Sequence, residues 1–361
     1  MDVIEVRYKD KMVGALSFDK NERAAVFQYS KEFIATGIEL SPLMMPLSSG
    51  TYSFPDLEIA TYKKLPGLIA DSLPDDFGNQ ILNAWVAKQG RDPQSITPLE
   101  RLKYIGSRGM GALEYFPADN ISGFNDSKQV EIIELIAIAQ DVLNQRSALE
   151  VDLHSDGQED REAMLALLSV GTSAGGARPK AVLAFNDDFT QVRSGQTSVP
   201  DGFEHYLMKF DGVSEHNKNK ETFGDPLGYG VMEYVYYQMA VKCGIEMMPC
   251  KLLQEGDRQH FLTKRFDRIG NEKIHTQTLN GLAHVDYKKP GSYSYAQLLT
   301  TGRKLGLSAK EAEQIFRRMV FNIVARNHDD HAKNFGFVLQ NDEWQLAPAY
   351  DLAYSYKPGS S

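Results

Sequence analysis

Arg326 to Phe337 reads RNHDDHAKNFGF, with two histidines and two adjacent aspartates packed into four positions. Three chemistries compete for this stretch. His328 and His331, with Asp329 or Asp330 as a third donor, have the spacing of metal ligands on a helical turn. A phosphohydrolase would combine the His-Asp pair with remote ligands, for which His284 and Asp351 are available. A phosphotransferase would use Asp329 and, five residues on, Asn334, followed by Asp351 in PAYDLAYS after two short strands, FGFVL and WQLAP.

The third reading accounts for most residues. Phosphoryl transfer needs a carboxylate beside the attacking hydroxyl, and oxygen ligands that hold Mg²⁺ on the nucleotide phosphates. Asp329, Asn334 and Asp351 follow the D-x-x-x-x-N…D order of kinase catalytic machinery. The flanking apolar strands form a β-turn-β support expected to point both metal ligands, Asn334 and Asp351, into one cleft. A polar turn in which Asp and Asn merely satisfy loop backbone is the plainer alternative. It loses ground because matching parts lie upstream, in order.

Lys209 interrupts the apolar strand HYLMKFDG, where alternation puts Tyr206, Met208 and Phe210 on one face and His205, Leu207 and Lys209 on the other. A strand lysine pairs nucleotide phosphates in kinases; otherwise it is an edge-strand lysine snorkelling to solvent. Glu233, in the middle of the following helix, can supply the ion pair that positions Lys209, or lie on a solvated face. GTSAGGARPK, Gly171 to Lys180, matches neither G-x-G-x-x-G nor G-x-x-x-x-G-K-[ST]. Its glycines Gly171, Gly175 and Gly176 still leave backbone N–H groups free to approach phosphate, and Lys180 adds a positive charge; a flexible surface loop is the alternative. KRFDR, Lys264 to Arg268, ends the last strand of a smaller lobe, where a hinge would present backbone to an adenine; a charged strand exit would read the same.

The surrounding sequence alternates elements as an α+β protein would. VIEVRY, MVGALSF and AAVFQYS have period-two patterning, with a turn at Asp19 to Glu22, so the first ~115 residues read as a β-rich module. One helix, Leu73 to Gly90, is expected to interrupt it. After the polar link Ala118 to Lys128, VEIIELIAIAQDVLNQ and EDREAMLALLSV read as helices, and the second runs into the glycine-bearing loop. Strand AVLAF, strand HYLMKF, helix YGVMEYVYYQMAVKCG, strand MMPCKLL and strand HFLTKRF follow, then a mostly helical portion. In that portion Ser308, three residues before Glu311, marks a capping box at the start of EAEQIFRRMVFNIVARN, which puts the opening stretch just past a helix C-terminus. The expected divisions are 1–118, 119–266 and 267–361.

Composition narrows the setting. With 361 residues, 42% hydrophobic and 24% charged, the chain reads as globular with two or three domains. Its net charge of −9 argues against broad, charge-driven nucleic-acid binding, so any DNA role is borrowed from a partner. Cys243 and Cys250 form neither a CxxC pair nor a disulfide framework, which makes the cytoplasm the expected compartment. The N-terminus lacks a signal-peptide layout, and no stretch approaches the ~20 apolar residues of a membrane span.

Taken together, LPGLIADSLPDDFGNQIL, RLKYIGSRGMGALEYFP, SAGGARPK, HYLMKF, KRFDR, NHDDHAKNFGF and PAYDL resemble, in order, the HipA family of serine/threonine toxin kinases from bacterial type II toxin-antitoxin modules. The resemblance implies a two-lobed, protein-kinase-like α+β fold with an N-terminal β-rich subdomain. It implies Asp329 as catalytic aspartate, Asn334 and Asp351 as Mg²⁺ ligands, and Lys209, paired with Glu233, as the ATP-phosphate contact. Ala174, Gly175, Gly176, Ala177, Arg178, Pro179 and Lys180 become the loop near the nucleotide. Lys264, Arg265 and Phe266 become the hinge, with His331, Ala332, Lys333 and Tyr350 beside the nucleotide. Ser173 matches the family's autophosphorylated serine, whose modification expels that loop by adding about two negative charges. Expected partners are a translation-machinery protein of the aminoacyl-tRNA synthetase class as substrate and a HipB-like helix-turn-helix antitoxin that carries the operator binding. The sequence stops at SYKPGSS, where the family is expected to continue through a further helical segment, so the larger lobe reads as shortened; an inactive antitoxin-binding co-repressor is the alternative function.

Overall fold

The structure is a computed structural model describing residues 3–19, 23–74, 76–118, 131–147, 178–213 and 227–355. The first region runs β1 (Val3–Tyr8), β2 (Lys11–Asp19), β3 (Ala24–Tyr29), α1 (Lys31–Ile34), β4 (Thr51–Ser53), α2 (Ile59–Tyr62), α3 (Gly67–Ala70), α4 (Asp76–Lys88), α5 (Pro98–Ile105) and β5 (Leu113–Phe116). Its strands form an antiparallel sheet in the order β4-β3-β2-β1-β5. The alternation seen in VIEVRY sends Ile4, Val6 and Tyr8 into the core and leaves Glu5 and Arg7 partly exposed.

The expectation of a single helix here is corrected by α1, α2, α3 and α5. The first three are four residues each, too short to display a 3.6-residue period. Helix α5 did carry a start signal: Pro98 at its first position and Thr97, whose hydroxyl accepts the Glu100 N–H at 3.1 Å.

After α6 (Ile132–Ser147) come β6 (Lys180–Asn186), β7 (Val192–Ser194), β8 (Phe203–Lys209), α7 (Tyr229–Lys242), β9 (Cys250–Glu255) and β10 (Arg258–Lys264). These strands make a second antiparallel sheet, β7-β6-β8-β10-β9. Helices α4 and α6 cover it: Phe77, Ile81, Trp85, Leu135 and Ala139 pack on Leu183, Tyr206, Met208, Phe210 and Leu262. Strand β8 lies at the centre of this sheet, so Lys209 is not on an edge.

The last region contains β11 (Arg268–Ile269), β12 (Glu272–Lys273), β13 (His275–Thr278), α8 (Leu279–Ala283), α9 (Tyr295–Lys304), α10 (Ala309–Val324), β14 (Gly336–Gln340) and β15 (Glu343–Leu346). It is less helical than expected, because β13 joins β14 and β15 in a three-stranded sheet. The sequence HTQT hides that strand: its buried positions, His275 and Gln277, are polar, so no apolar alternation marks them. The capping box at Ser308 and Glu311 is present as read.

The N-terminal sheet and the last region share one core. Ile4, Phe27, Tyr62 and Leu68 belong with Leu279, Leu282, Phe335, Phe337 and Trp344. Polar bonds reinforce the junction. Asp71 accepts the Thr278 N–H at 2.6 Å and its hydroxyl at 2.8 Å, and Tyr62 donates to the Asn280 carbonyl at 3.1 Å. No helix of the described residues is long and apolar enough to cross a membrane.

Candidate functional site

Helix α10 ends where RNHDDHAKNFGF begins. Arg326 turns out of the helix in the left-handed region (φ 55°), and the Asn327 N–H bonds back to the Asn322 carbonyl at 2.9 Å. A short parallel bridge then ties the loop to the segment beyond β15: His328 N–H donates to Ser355, and Ser355 N–H to Arg326, each at 3.1 Å. Just past this bridge Asp329 keeps about half of its side chain (54%) exposed. A 3-10 turn, Ala332–Asn334, follows and is pinned by the fully buried Ala332. From it Asn334 reaches back to donate its side-chain N–H to the Asp329 carbonyl at 2.6 Å, which closes the five-residue spacing into a compact loop.

The second half of the site arrives from across the cleft. Lys209, on the central strand β8, donates to Glu233 Oε1 at 2.6 Å and also to Asp351 Oδ1. Glu233 projects from α7 and is only 2% exposed, so the solvated-face reading does not hold for it. Arg178 adds a bond to Glu233 Oε1 at 3.3 Å; its guanidinium lies over the Tyr229 ring at 3.8 Å and donates to the Tyr229 hydroxyl. Asp351 is a non-glycine residue with φ 58°, a conformation of the kind that collects at functional sites. The preceding Tyr350 is anchored by its hydroxyl on the Lys333 carbonyl at 2.7 Å and by stacking on Phe266 at 5.6 Å. Gly336 makes room for it, since a Cβ there would approach the Tyr350 hydroxyl to 3.1 Å.

These charges set one another. Burial is the largest single influence on both Lys209 and Asp351 and opposes their ionisation, but the opposite charges around each together outweigh it. With Glu233 acting on Lys209, and Lys180 and Arg178 on Asp351, the ammonium is held protonated and the carboxyl is held well below the usual carboxylate range. Glu233 goes the other way: burial raises it, with Lys209 only partly compensating. Asp329 is raised as well, first by burial and then by the negative charge of Asp351, against the pull of His331, whose Nε2 lies 3.8 Å from Asp329 Oδ1.

Thus Arg178, Lys209, Glu233 and Asp351 are linked by bonds and charge, Lys180 acts on Asp351, Asp329 feels Asp351, Arg178 and Lys209, and Asn334 joins through the Asp329 carbonyl; Lys180 is buried and opposite Lys209 in the β6–β8 register. His331 and Lys333 lie against the Tyr287 ring, at 5.2 and 4.8 Å. Pro179 contributes its carbonyl to the Phe210 N–H at 3.1 Å. The side chains of Lys264 and Arg265 are engaged elsewhere: Lys264 bonds Glu204, and Arg265 bonds Asp267 at 2.7 and 2.6 Å in a buried pair. Phe266 stacks on Tyr350, the residue before Asp351. Ser173, Ala174, Gly175, Gly176 and Ala177 lie outside the described residues.

The histidine-centred alternatives find little support. His284 Nε2 accepts the Gly67 N–H at 3.0 Å between the rings of Phe54 and Tyr62, as a core histidine. Among the described residues no three His, Cys, Asp or Glu side chains converge as a metal site. Asp330, a candidate third donor in the metal reading, instead accepts the Tyr295 hydroxyl at 2.5 Å. Tyr295 and its neighbour Asn322 escaped the sequence reading because nothing local distinguishes them from ordinary helix residues. The Arg268 contacts to the Gly109 and Gly111 carbonyls, both at 3.0 Å, escaped because they join segments far apart in the chain.

Comparison with known proteins adds independent findings. Residues 172–360 match the family model described as HipA-like C-terminal domain, and residues 4–116 the HipA N-terminal domain. A Sinorhizobium fredii protein named "Putative kinase Y4dM" is 27% identical over 150 residues, 40% of this chain and 35% of its own length, so the match spans about a third of that relative. Among solved structures, the chain is similar to one from the Shewanella oneidensis MR-1 toxin antitoxin system HipA, HipB and operator DNA complex. The identity is 18% and the TM-score 0.63, covering 97% of this chain and 76% of that one. This likeness is one of fold, α+β with a β-rich N-terminal region.

Proposed function

The chain belongs to the HipA family, and we propose that it is an ATP- and Mg²⁺-dependent serine/threonine kinase with a protein-kinase-like two-lobed fold, acting as the toxin of a toxin-antitoxin pair. The observation that carries the reading is the bond of Lys209 to both Glu233 and Asp351, with Asp329 close enough to feel the charges of Asp351, Arg178 and Lys209 and Asn334 bonded to the Asp329 carbonyl. A strand lysine paired with a helix glutamate, opposite an aspartate that follows a D-x-x-x-x-N loop, is the arrangement phosphoryl transfer uses.

The donor set suits the cofactor. Asp351 supplies a carboxylate kept ionised by its cationic neighbours, and Asn334 supplies an amide oxygen; Mg²⁺ takes such hard oxygen ligands together with substrate phosphates. When bound, Mg·ATP supplies the transferable γ-phosphoryl group and the metal charge that offsets its oxygens. Lys209 binds the phosphates, with Lys180 and Arg178 adding positive charge, and Glu233 fixes the direction in which Lys209 points. Asp329 orients a substrate Ser or Thr hydroxyl and accepts its proton; a carboxyl raised above its ordinary value is better matched to that task. The backbone of Lys264 to Phe266 would border the adenine.

By kinship, the substrate is a translation-machinery protein of the aminoacyl-tRNA synthetase class, Ser173 is the self-modified residue, and a HipB-like antitoxin neutralises the kinase and carries DNA contact. The test is incubation of the purified chain with labelled Mg·ATP. Phosphate is expected on Ser173 in the parent and absent from Asp329→Asn, whereas equal labelling of both proteins would refute the assignment of Asp329.

A further inference from the structure

Beyond the cleft, the loop that bears Asp329 is held from behind by groups that never face it. Asn322, on α10, is 3% exposed and uses both ends of its amide. Its Nδ2 donates to the Tyr295 hydroxyl at 2.9 Å, and its Oδ1 accepts from Asn327 Nδ2 at 3.0 Å. The Tyr295 hydroxyl passes the bond on to Asp330 Oδ2 at 2.5 Å, and the neighbouring Tyr293 hydroxyl donates to the Asp330 carbonyl. Both tyrosine rings are wedged edge-on against Phe335, at 5.7 and 5.8 Å, so the hydroxyls are delivered by rigid side chains.

The chain of donors has one direction: Asn322 to Tyr295 to Asp330. A single buried amide therefore controls the residue before Asp329 by two positions and, through tyrosine, the residue after it. We propose that Asn322, Tyr295 and Asp330 form a positioning relay that sets the backbone height and orientation of Asp329 for phosphoryl transfer, an inference that rests on the kinase reading above. Physically, the relay is suited to this work because a reacting group displaced by about 1 Å can lose up to a hundredfold in rate. A loop with a half-exposed acid at its tip has little packing of its own to prevent such a shift.

The variant of choice is Tyr295→Phe, which removes one hydroxyl and leaves the ring against Phe335. Its kcat for Ser173 phosphorylation is expected to fall between about tenfold and about a hundredfold, with KM for ATP within about twofold of the parent. Asp330→Asn, which keeps an oxygen to accept from Tyr295, is expected to recover most of the rate that Asp330→Ala loses; a purely structural role would not rank these two in that order. Hydrogen exchange of the amides from 327 to 334, followed without substrate, is expected to quicken in Tyr295→Phe while α10 stays protected. Parent-like kcat in Tyr295→Phe with unchanged loop exchange would overturn the relay. A parent protein that transfers no phosphate would instead count against the kinase reading, and the exchange measurement would then decide whether the clamp on this loop exists.

Discussion

Lys209 Nζ lies 2.6 Å from Glu233 Oε1 and also bonds Asp351, so one buried ammonium joins the central strand of the second sheet to α7 and to the segment after β15. The three residues lie far apart in the chain. A group whose burial is offset by two carboxylates, each from a different element, ties those elements together.

Removing that ammonium should therefore be costly. Lys209→Met leaves Glu233, 2% exposed, and Asp351 facing each other without their shared cation. A loss of about 3 kcal/mol is expected, typical of stripping one partner from a buried ion pair. Urea denaturation of Lys209→Met, Glu233→Gln and the double variant should show the double variant more stable than the sum of the two losses predicts.

Asp329→Asn should behave in the opposite way. The Asp329 carboxyl is raised in the folded protein, so its charged form is disfavoured there relative to the unfolded chain, and the neutral amide removes that penalty. The variant is expected to lose phosphate transfer yet melt at the same temperature as the parent, or higher, at pH 7. The difference should shrink as pH falls through the raised folded value and Asp329 itself becomes neutral. Melting curves at pH 7 and pH 4 check both the sign and the trend.

Acid should destabilise the fold before its carboxylates titrate. His205 and His275, 4% and 1% exposed, are each lowered to about 4, by burial first, with Arg265 adding to it at His205. Above the ordinary value of about 6.5 both states are neutral and the histidines contribute nothing to the pH dependence. Below it the unfolded chain takes up protons that the folded one refuses, so the histidine contribution to stability falls from about pH 6.5 and levels off near pH 4. By pH 5 each histidine should cost on the order of 2 kcal/mol. Denaturation at pH 7 and pH 5 measures the slope, and His275→Gln should flatten it.

Metal dependence separates the two oxygen donors. Asn334→Ala removes one neutral ligand and the bond to the Asp329 carbonyl, so phosphate transfer should weaken and partly return as Mg²⁺ is raised. Asp351→Asn removes the charged ligand and the Lys209 partner together, and no concentration of Mg²⁺ should restore it. Titration of the transfer rate against Mg²⁺ reads both outcomes.

Much of this arrangement was legible in the sequence because it is carried by local spacing. Asp329 and Asn334 close one loop, the capping box at Ser308 starts the helix before it, and strict alternation sets Lys209 against Tyr206, Met208 and Phe210. These depend on a few bonds between near neighbours, which periodicity and motif order record. The interruption of the β-rich module by several short helices was not legible, since one turn carries no period. Nor was β13, whose inward residues are polar.

What tertiary structure alone decided is who meets whom. The sequence by itself named Lys209, Glu233 and Asp351, but only packing of the second sheet, α7 and the β14–β15 pair brought them within a hydrogen bond. It also gave Asp330 to Tyr295, 35 positions away, rather than to a metal. The reason is physical: a buried charge takes whatever partner the fold delivers at about 3 Å, and that choice is made by contacts between distant segments, which leave no pattern along the chain.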